Sequence, residues 1–284
     1  MNRDGKMMTT NYGRCAAMAI DPIEKKPFYH YRPKSLILSL GPNSCNLSCQ
    51  FCQNYQISQF ESDTFMLSVQ ELKKKMFLSV APRQIAFTYT EPVTWFEFII
   101  DFCKEAPDVS VLLVTNGFIN SEPLSELLPY ISAMNIDLKS ITPEFYKAYC
   151  GGILEVVLDT ITRANACGIH IEITNLIIPR LNDSFKEIEH LSKFIADINP
   201  DIPLHFSAYH PSFMLKIPQS TKENILEACA IGKEYLNYVY SGNVGYSIWS
   251  NTYCPNCNTL LISRNPIRMN NIVKIGRASC RERV

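Results

Sequence analysis

The chain lacks any apolar run that is long enough to cross a membrane, and it lacks a signal-peptide pattern at its start. Its longest apolar runs, such as residues 35–40 and 109–114, are far shorter than the roughly 20 residues that a membrane-spanning helix needs. An excess of charge is lacking too, because 27 Lys and Arg residues balance 27 Asp and Glu residues. No overall field would therefore attract nucleic acid or an anionic membrane surface. We expect a cytoplasmic protein with neither kind of partner.

Cysteine is abundant, at 11 residues in 284. In a reducing cytoplasm, thiols stay available as metal ligands and seldom form a disulfide framework. Three of them form one group, Cys45, Cys49 and Cys52, and a second group contains Cys254 and Cys257. The other six are single and are interpreted as small buried hydrophobic residues: Cys15, Cys103, Cys150, Cys167, Cys229 and Cys280.

The order of hydrophobic patterns predicts an α/β fold. From Ser35 onward, short β-rich runs alternate with helical patterns, which favours a parallel sheet with crossover helices. We expect strands at residues 35–40, 84–89, 109–115, 134–138, 170–178, 204–209 and 238–241, and helices at 68–79, 94–105, 121–131, 153–167, 184–198 and 221–235. Six strand–helix units fit a partial barrel or an open doubly wound sheet, and periodicity alone does not separate the two.

The two ends differ from this core. Residues 1–34 show little periodicity and predict an irregular lead-in, whereas residues 35–241 form the predicted core domain. Residues 242–274 hold the second cysteine group and predict a partial metal knuckle. Residues 275–284 match the translation of a common sequencing-adapter DNA, so we exclude them, together with Cys280, from the fold.

The first cysteine group has the spacing of an iron–sulfur site. It reads Cys45-Asn-Leu-Ser-Cys49-Gln-Phe-Cys52 and follows the first strand of the predicted core, where parallel α/β folds place ligand-binding loops. Four-iron clusters usually take four cysteines, so three ligands without a nearby fourth leave one iron open. The alternatives are zinc, which would need a remote fourth ligand because no histidine lies between His30 and His170, and simple packing.

This motif resembles that of the radical S-adenosylmethionine (SAM) superfamily, in which an aromatic residue precedes the last cysteine, as Phe51 does here. The resemblance implies a partial (β/α)6 TIM-like barrel that binds a [4Fe-4S] cluster and SAM. It also implies that an external electron donor reduces the cluster, that SAM is cleaved to methionine and a 5′-deoxyadenosyl radical, and that the radical abstracts hydrogen from a substrate.

Further segments fit the family pattern at successive strand ends, in the order Thr88-Tyr-Thr-Glu91-Pro92, Val114-Thr-Asn116-Gly117 and Asp137-Leu-Lys139. The resemblance implies that Glu91 accepts a hydrogen bond from the SAM ammonium group, that Asn116 bonds the cofactor and that Lys139 pairs with its carboxylate. Asp137 belongs to the same motif. A carboxylate at a helix start is the alternative interpretation of Glu91.

Two more residues are carried over from related enzymes that activate glycyl-radical proteins. His205 matches a histidine near the adenosyl group, although a lone histidine is also an ordinary core residue. Asn54, two positions after Cys52, is predicted to contact the cofactor in the same way.

The resemblance narrows to the AmmeMemoRadiSam-system proteins, relatives of pyruvate formate-lyase activating enzyme. It covers residues 11–274 and includes residues 21–27, 29–31, 52–58 and 178–183. Members of that group usually have a cysteine-bearing segment before the position of Met1, and a second cysteine pair after Cys254-Pro-Asn-Cys257. We therefore expect a chain shortened at its start and without a complete C-terminal metal knuckle.

Two classes of function remain after these observations. The leading hypothesis is an oxidoreductase that cleaves SAM and abstracts hydrogen from an unidentified protein or small molecule, with glycyl-radical activation as one option. The alternative is an iron–sulfur electron-transfer or interaction module without SAM cleavage. That alternative explains the cysteines but gives no reason for the order of Glu91, Asn116 and Lys139.

Overall fold

The computed structural model describes residues 2–3, 5–7, 9–78 and 83–264. The chain divides into two compact units. The first contains Met1–Asp137, Tyr146–Ile171 and Ser212–Met214, and the second contains Leu138–Phe145, Glu172–Pro211 and Leu215–Val284. The predicted adapter segment 275–284, with Cys280, lies outside the described residues. The division into a 35–241 core and a 242–274 knuckle stays a prediction.

The strands agree closely with the alternating pattern from Ser35 onward. In chain order they are β1 (Asn2–Arg3), β2 (Lys6–Met7), β3 (Arg14–Pro22), β4 (Leu36–Pro42), β5 (Phe65–Met66), β6 (Gln84–Phe87), β7 (Ser110–Thr115), β8 (Ala133–Asp137), β9 (His170–Ile177), β10 (Leu204–Ala208), β11 (Val239–Gly242), β12 (Thr252–Tyr253) and β13 (Leu260–Ile262).

The helices also follow the predicted order. They are α1 (Tyr55–Ser58), α2 (Val69–Leu78), α3 (Phe96–Glu105), α4 (Ser121–Leu127), α5 (Pro143–Phe145), α6 (Leu154–Ala166), α7 (Phe185–Ile198) and α8 (Lys222–Lys233). Short 3-10 turns occupy Ile23–Lys25, Pro92–Trp95, Leu128–Tyr130 and Ile248–Ser250, and a π-helical turn occupies Tyr146–Cys150. Ser68 begins α2 with a capping box, because its backbone N–H donates to Glu71 Oε2 at 2.8 Å and its Oγ accepts from the Glu71 N–H at 3.2 Å.

In the first unit, β4, β6, β7 and β8 pair in parallel in that order. Strand β3 pairs antiparallel with β4 and with β5, while β1 and β2 form a separate antiparallel pair. One face of the parallel strands is closed by a buried apolar cluster that contains Ile37, Ala86, Leu112 and Ala133. The carboxyl ends of these strands therefore lie at one edge, where the following loops meet.

The lead-in is the part of the prediction that needs correction, since residues 1–34 are not irregular throughout. Residues 14–22 form the nine-residue strand β3, and Ile23 and Phe28 belong to the same buried cluster as Ile37. The strand is rich in alanine, which has a low intrinsic preference for strands. Its conformation comes from pairing with β4, a contact that local pattern does not reveal.

In the second unit, β9, β10 and β11 pair in parallel, and β12 and β13 form an antiparallel hairpin. Ser184 caps α7 and Thr221 caps α8 through hydrogen bonds to backbone N–H groups of the first turn. Together with the parallel strands of the first unit, this confirms the predicted α/β class with mostly parallel strands. Among the described residues, no helix has both the length and the apolar character to cross a membrane.

Candidate active site

The three grouped cysteines lie in the loop that follows β4. Cys49 is buried, while Cys45 and Cys52 are partly exposed. A turn closes the loop, because the Cys52 N–H donates to the Cys49 carbonyl at 3.1 Å. Two of the sulfurs have polar contacts: Cys45 Sγ accepts from the Leu47 N–H at 3.4 Å, and Cys52 Sγ lies 3.2 Å from Ser58 Oγ. The thiols therefore lie in a loop that also supplies polar contacts to sulfur.

The π-helical turn Tyr146–Cys150 holds the backbone of this loop. The Ser48 N–H donates to the Cys150 carbonyl at 2.8 Å, and the Gln50 N–H donates to the Tyr149 carbonyl at 2.9 Å. Gly151 follows with φ of +71°, and a Cβ there would collide with Ser48 Oγ. Sequence reasoning missed this support. The Gly151-Gly152 pair was the available signal, because such a close backbone approach excludes a side chain.

A second support for the loop comes from residues 212–214, far along the chain. Ser212 Oγ donates to the Cys52 carbonyl at 3.0 Å, and the Met214 N–H donates to the Gln50 carbonyl at 2.9 Å. No local motif marks these residues in the sequence.

Glu91 is buried, at 1% exposure, and caps the 3-10 turn that follows β6. Its Oε1 accepts from Thr115 Oγ1 at 2.7 Å and from the Val93 N–H at 3.1 Å, and its Oε2 accepts from the Asn116 N–H at 2.7 Å. Burial raises the pKa of Glu91 to about 7, and these hydrogen bonds oppose the rise. Glu91 therefore lies at the start of a helical turn, as predicted, and also accepts hydrogen bonds from the end of β7 and the turn that follows it.

Asn116 connects that turn to the cysteine loop. Its Oδ1 accepts from the Phe118 N–H at 2.8 Å, which orients the amide nitrogen toward the cysteine loop. Its Nδ2 donates to Asn46 Oδ1 at 2.8 Å and lies 3.7 Å from Cys45 Sγ. Motif residues that follow three different strands, β4, β6 and β7, are therefore brought into one network.

Asn54 is exposed and donates from Nδ2 to the Tyr89 carbonyl at 2.6 Å. Tyr89 has φ of +69°, and its hydroxyl donates to Asp21 Oδ2 at 3.0 Å. Lys26 is buried at 6% exposure, lies 3.0 Å from the same carboxylate and stacks over the Tyr89 ring at 4.1 Å. The Asp21–Lys26 ion pair, in which only Lys26 is buried, has no signal in the local sequence pattern.

The four remaining residues that were predicted to contact the cofactor are divided between the two units. Phe51 is buried next to Cys52, and Asp137 ends β8 half-buried, both in the first unit. Lys139 belongs to the second unit, where its carbonyl accepts from Asn182 Nδ2 at 2.7 Å. His205, also in the second unit, is buried on β10 with Nε2 2.7 Å from Glu172 Oε2. These contacts fit the alternative of a satisfied core histidine, and the SAM contact of His205 stays a prediction.

The donor set of the cysteine loop fits a four-iron cluster. Within the described part of the chain, no three His, Cys, Asp or Glu side chains converge to hold a single metal ion. Cluster ligands need not converge in that way, because each cysteine binds a different iron. Three thiols on one short loop, with N–H and O–H groups next to their sulfurs, are suited to this task.

The second cysteine group lies at the β12–β13 hairpin of the second unit. Cys254 is buried, and Cys257 is exposed with its Sγ 3.2 Å from Thr259 Oγ1. The predicted absence of a complete knuckle stays a prediction, because residues 265–284 lie outside the described part.

Comparison with known proteins confirms the predicted superfamily. Residues 41–195 match the family model of the Radical SAM superfamily. An uncharacterized protein of Methanocaldococcus jannaschii is 40% identical over 272 residues, which cover 93% of this chain and 80% of that protein. The pyruvate formate-lyase-activating enzyme of Clostridium pasteurianum is 23% identical over 174 residues, covering 58% of this chain and 72% of that enzyme.

Among solved structures, a radical SAM methyltransferase from Sphaerobacter thermophilus has the same fold. The TM-score is 0.59 at 12% identity, over 81% of this chain and 71% of that one. At this identity the likeness concerns the fold alone. With more than half of its residues matched by the family model, the chain belongs to the radical SAM superfamily, whose members bind a [4Fe-4S] cluster and SAM.

Proposed function

We propose that this protein holds the cluster through Cys45, Cys49 and Cys52 and uses it to cleave SAM and abstract a hydrogen atom from a protein or small-molecule substrate. The observation that carries the proposal is the position of Asn116, whose backbone N–H bonds Glu91 while its Nδ2 lies 3.7 Å from Cys45 Sγ. A purely structural iron–sulfur module has no need for these strand-end residues to meet beside the sulfurs.

The bound cluster supplies the electron that breaks a carbon–sulfur bond of SAM, once an external donor has reduced it. The chain binds the cluster and SAM, orients them, and excludes water from the site. Phe51, next to Cys52, is buried, and we assign it the role of excluding water from the cluster site. Glu91 holds the end of β7 and the turn after it in place through two hydrogen bonds, which it accepts from Thr115 Oγ1 and the Asn116 N–H.

Glu91 is also our candidate for the SAM ammonium group. A cation near a buried carboxyl favours its ionised form, so SAM binding would lower the raised pKa of Glu91. Asn54, Asn116, Asp137, Lys139 and His205 keep the cofactor contacts that their motif positions predict. For Lys139 and His205 the motif order alone supports this role.

The substrate class is the open part of the proposal. The likeness to the activating enzyme of C. pasteurianum supports glycyl-radical activation as one option, and the narrower AmmeMemoRadiSam assignment stays a prediction. The proposal places the protein in the cytoplasm, with an external electron donor as its reducing partner.

The test is anaerobic reconstitution with iron, sulfide and SAM, followed by measurement of 5′-deoxyadenosine after reduction. We expect wild type to form it and Cys49→Ser to lose both cluster absorbance and product. Cys167→Ser is the matched control, because Cys167 is exposed on the surface of the same unit, and it should behave as wild type. Deuterium transfer from candidate substrates into 5′-deoxyadenosine would then identify the hydrogen donor.

One result would reject this function: the reconstituted cluster is reduced reversibly, but the protein neither binds nor cleaves SAM. A known radical SAM enzyme must cleave SAM in a parallel reaction for this result to count. That result would favour the electron-transfer alternative.

A further inference from the structure

Asn46, the residue after Cys45, contacts the turn that follows β7 with both polar atoms of its side chain. Its Nδ2 donates to the Phe118 carbonyl at 2.6 Å, and its Oδ1 accepts from Asn116 Nδ2 at 2.8 Å. The Phe118 N–H donates in turn to Asn116 Oδ1 at 2.8 Å. These three residues therefore form a closed ring of hydrogen bonds, although Asn46 itself is exposed.

This ring fixes the direction of the Asn116 amide group. A backbone carbonyl only accepts and a backbone N–H only donates, so the two contacts with Phe118 decide which end of each asparagine side chain carries the oxygen. The Asn116 amide nitrogen has two hydrogens. One bonds Asn46 Oδ1, and the other is available to Cys45 Sγ, which lies 3.7 Å from Nδ2.

The contact between Asn116 and Cys45 has a consequence for a cluster bound there. Asn116 is buried, at 6% exposure, so water competes little for its amide hydrogens. A thiolate ligand is a stronger acceptor than a thiol, because hydrogen bonds to charged groups are the stronger ones. The reduced cluster carries one more negative charge than the oxidised cluster, so a hydrogen bond to a ligand sulfur favours reduction.

We propose that Asn116 donates a hydrogen bond to Cys45 Sγ that raises the reduction potential of the cluster, and that Asn46 is the positioning residue that orients Asn116 for this bond. The inference rests on the proposed function, because it requires a cluster bound through Cys45. Asn116 Oδ1 keeps a second lone pair beside the one that accepts from Phe118. The role is therefore compatible with a contact between Asn116 and SAM.

The experiment is a spectroelectrochemical titration of the cluster-loaded protein without SAM, with variants compared at equal iron content. A tenfold preference for the reduced form corresponds to about 59 mV in a one-electron couple. We expect Asn116→Ala to lower the reduction potential by about that amount. Asn46→Ala should lower it by less, because the Asn116 amide is still present but is no longer oriented by Asn46.

The double variant, with both asparagines replaced by alanine, separates a positioning role from two independent effects. If Asn46 acts through Asn116, the double variant should have the reduction potential of Asn116→Ala and not the sum of both decreases. Ser48→Ala is the matched control and should leave the potential unchanged. Ser48 is exposed on the same loop and contributes its backbone N–H, and not its hydroxyl, to the contact with Cys150.

An unchanged or higher potential in Asn46→Ala would overturn the positioning role, and additive decreases in the double variant would overturn it as well. An unchanged or higher potential in Asn116→Ala would overturn the hydrogen bond to Cys45. These results would leave the proposed function in place, because the cluster still forms. Failure of the wild-type chain to take up a cluster would instead reject the proposed function, and this inference with it.

Discussion

The substitution Glu91→Gln tests whether burial sets the charge of this carboxyl group. Burial raises the pKa of Glu91 from 4.5 to about 7. Because the folded-state pKa lies above the unfolded value, the protonated group contributes stability that is complete below pH 4.5 and is lost as the pH rises through 7. That pKa difference corresponds to roughly 3 kcal/mol of unfolding free energy.

The variant lacks this titration but has a different defect. A glutamine amide places an NH2 group where Glu91 now accepts from the Asn116 N–H or from the Val93 N–H. Two opposed donors cost about 1–3 kcal/mol. The substitution should therefore destabilise the protein most near pH 5, and its cost should shrink toward zero, or reverse, by pH 8.

The measurement is urea denaturation of the cluster-free protein between pH 5 and pH 8, followed by circular dichroism. Glu126→Gln is the control, since Glu126 is exposed on α4, and its unfolding free energy should follow wild type at every pH. Parallel pH profiles for Glu91→Gln and wild type would refute the raised pKa.

Three other substitutions test contacts near the site. Gln59 Nε2 donates to Ser58 Oγ, so the Ser58 hydroxyl proton is available for a hydrogen bond to Cys52 Sγ. Ser58→Ala removes this O–H···S bond and should lower the reduction potential of the cluster. If the bond favours the reduced form tenfold, the decrease is about 59 mV. Spectroelectrochemistry would measure this, and an unchanged potential would contradict it. Gly151→Ala should lower both the denaturation midpoint and iron incorporation more than Gly168→Ala, because both glycines have positive φ but only Gly151 faces another side chain, that of Ser48. Equal losses would argue against the close approach. Asp21→Asn should cost about 1–3 kcal/mol in urea denaturation, because it leaves the buried Lys26 ammonium without its partly buried carboxylate. A loss as small as that of the exposed-pair variant Asp159→Asn would contradict this contribution of the Asp21–Lys26 pair.

The sequence by itself determined the kinds of elements and the kind of chemistry. The alternation of β-rich and helical segments from Ser35 onward predicted the strands and crossover helices to within a few residues, because hydrophobic periodicity is a local property of the chain. The spacing of Cys45, Cys49 and Cys52 indicated an iron–sulfur site for a similar reason. Ligands on one short loop are close together in any fold.

Only the tertiary structure decided which distant residues meet. Strand β3 owes its conformation to pairing with β4, and the π-helical turn Tyr146–Cys150 reaches the cysteine loop across about a hundred residues of chain. The burial of Glu91 depends on the turn after β7, and the exposure of a carboxyl group, unlike its presence, sets its pKa. Local patterns therefore identified the ligands, whereas their environment comes from contacts between segments that are far apart in the chain.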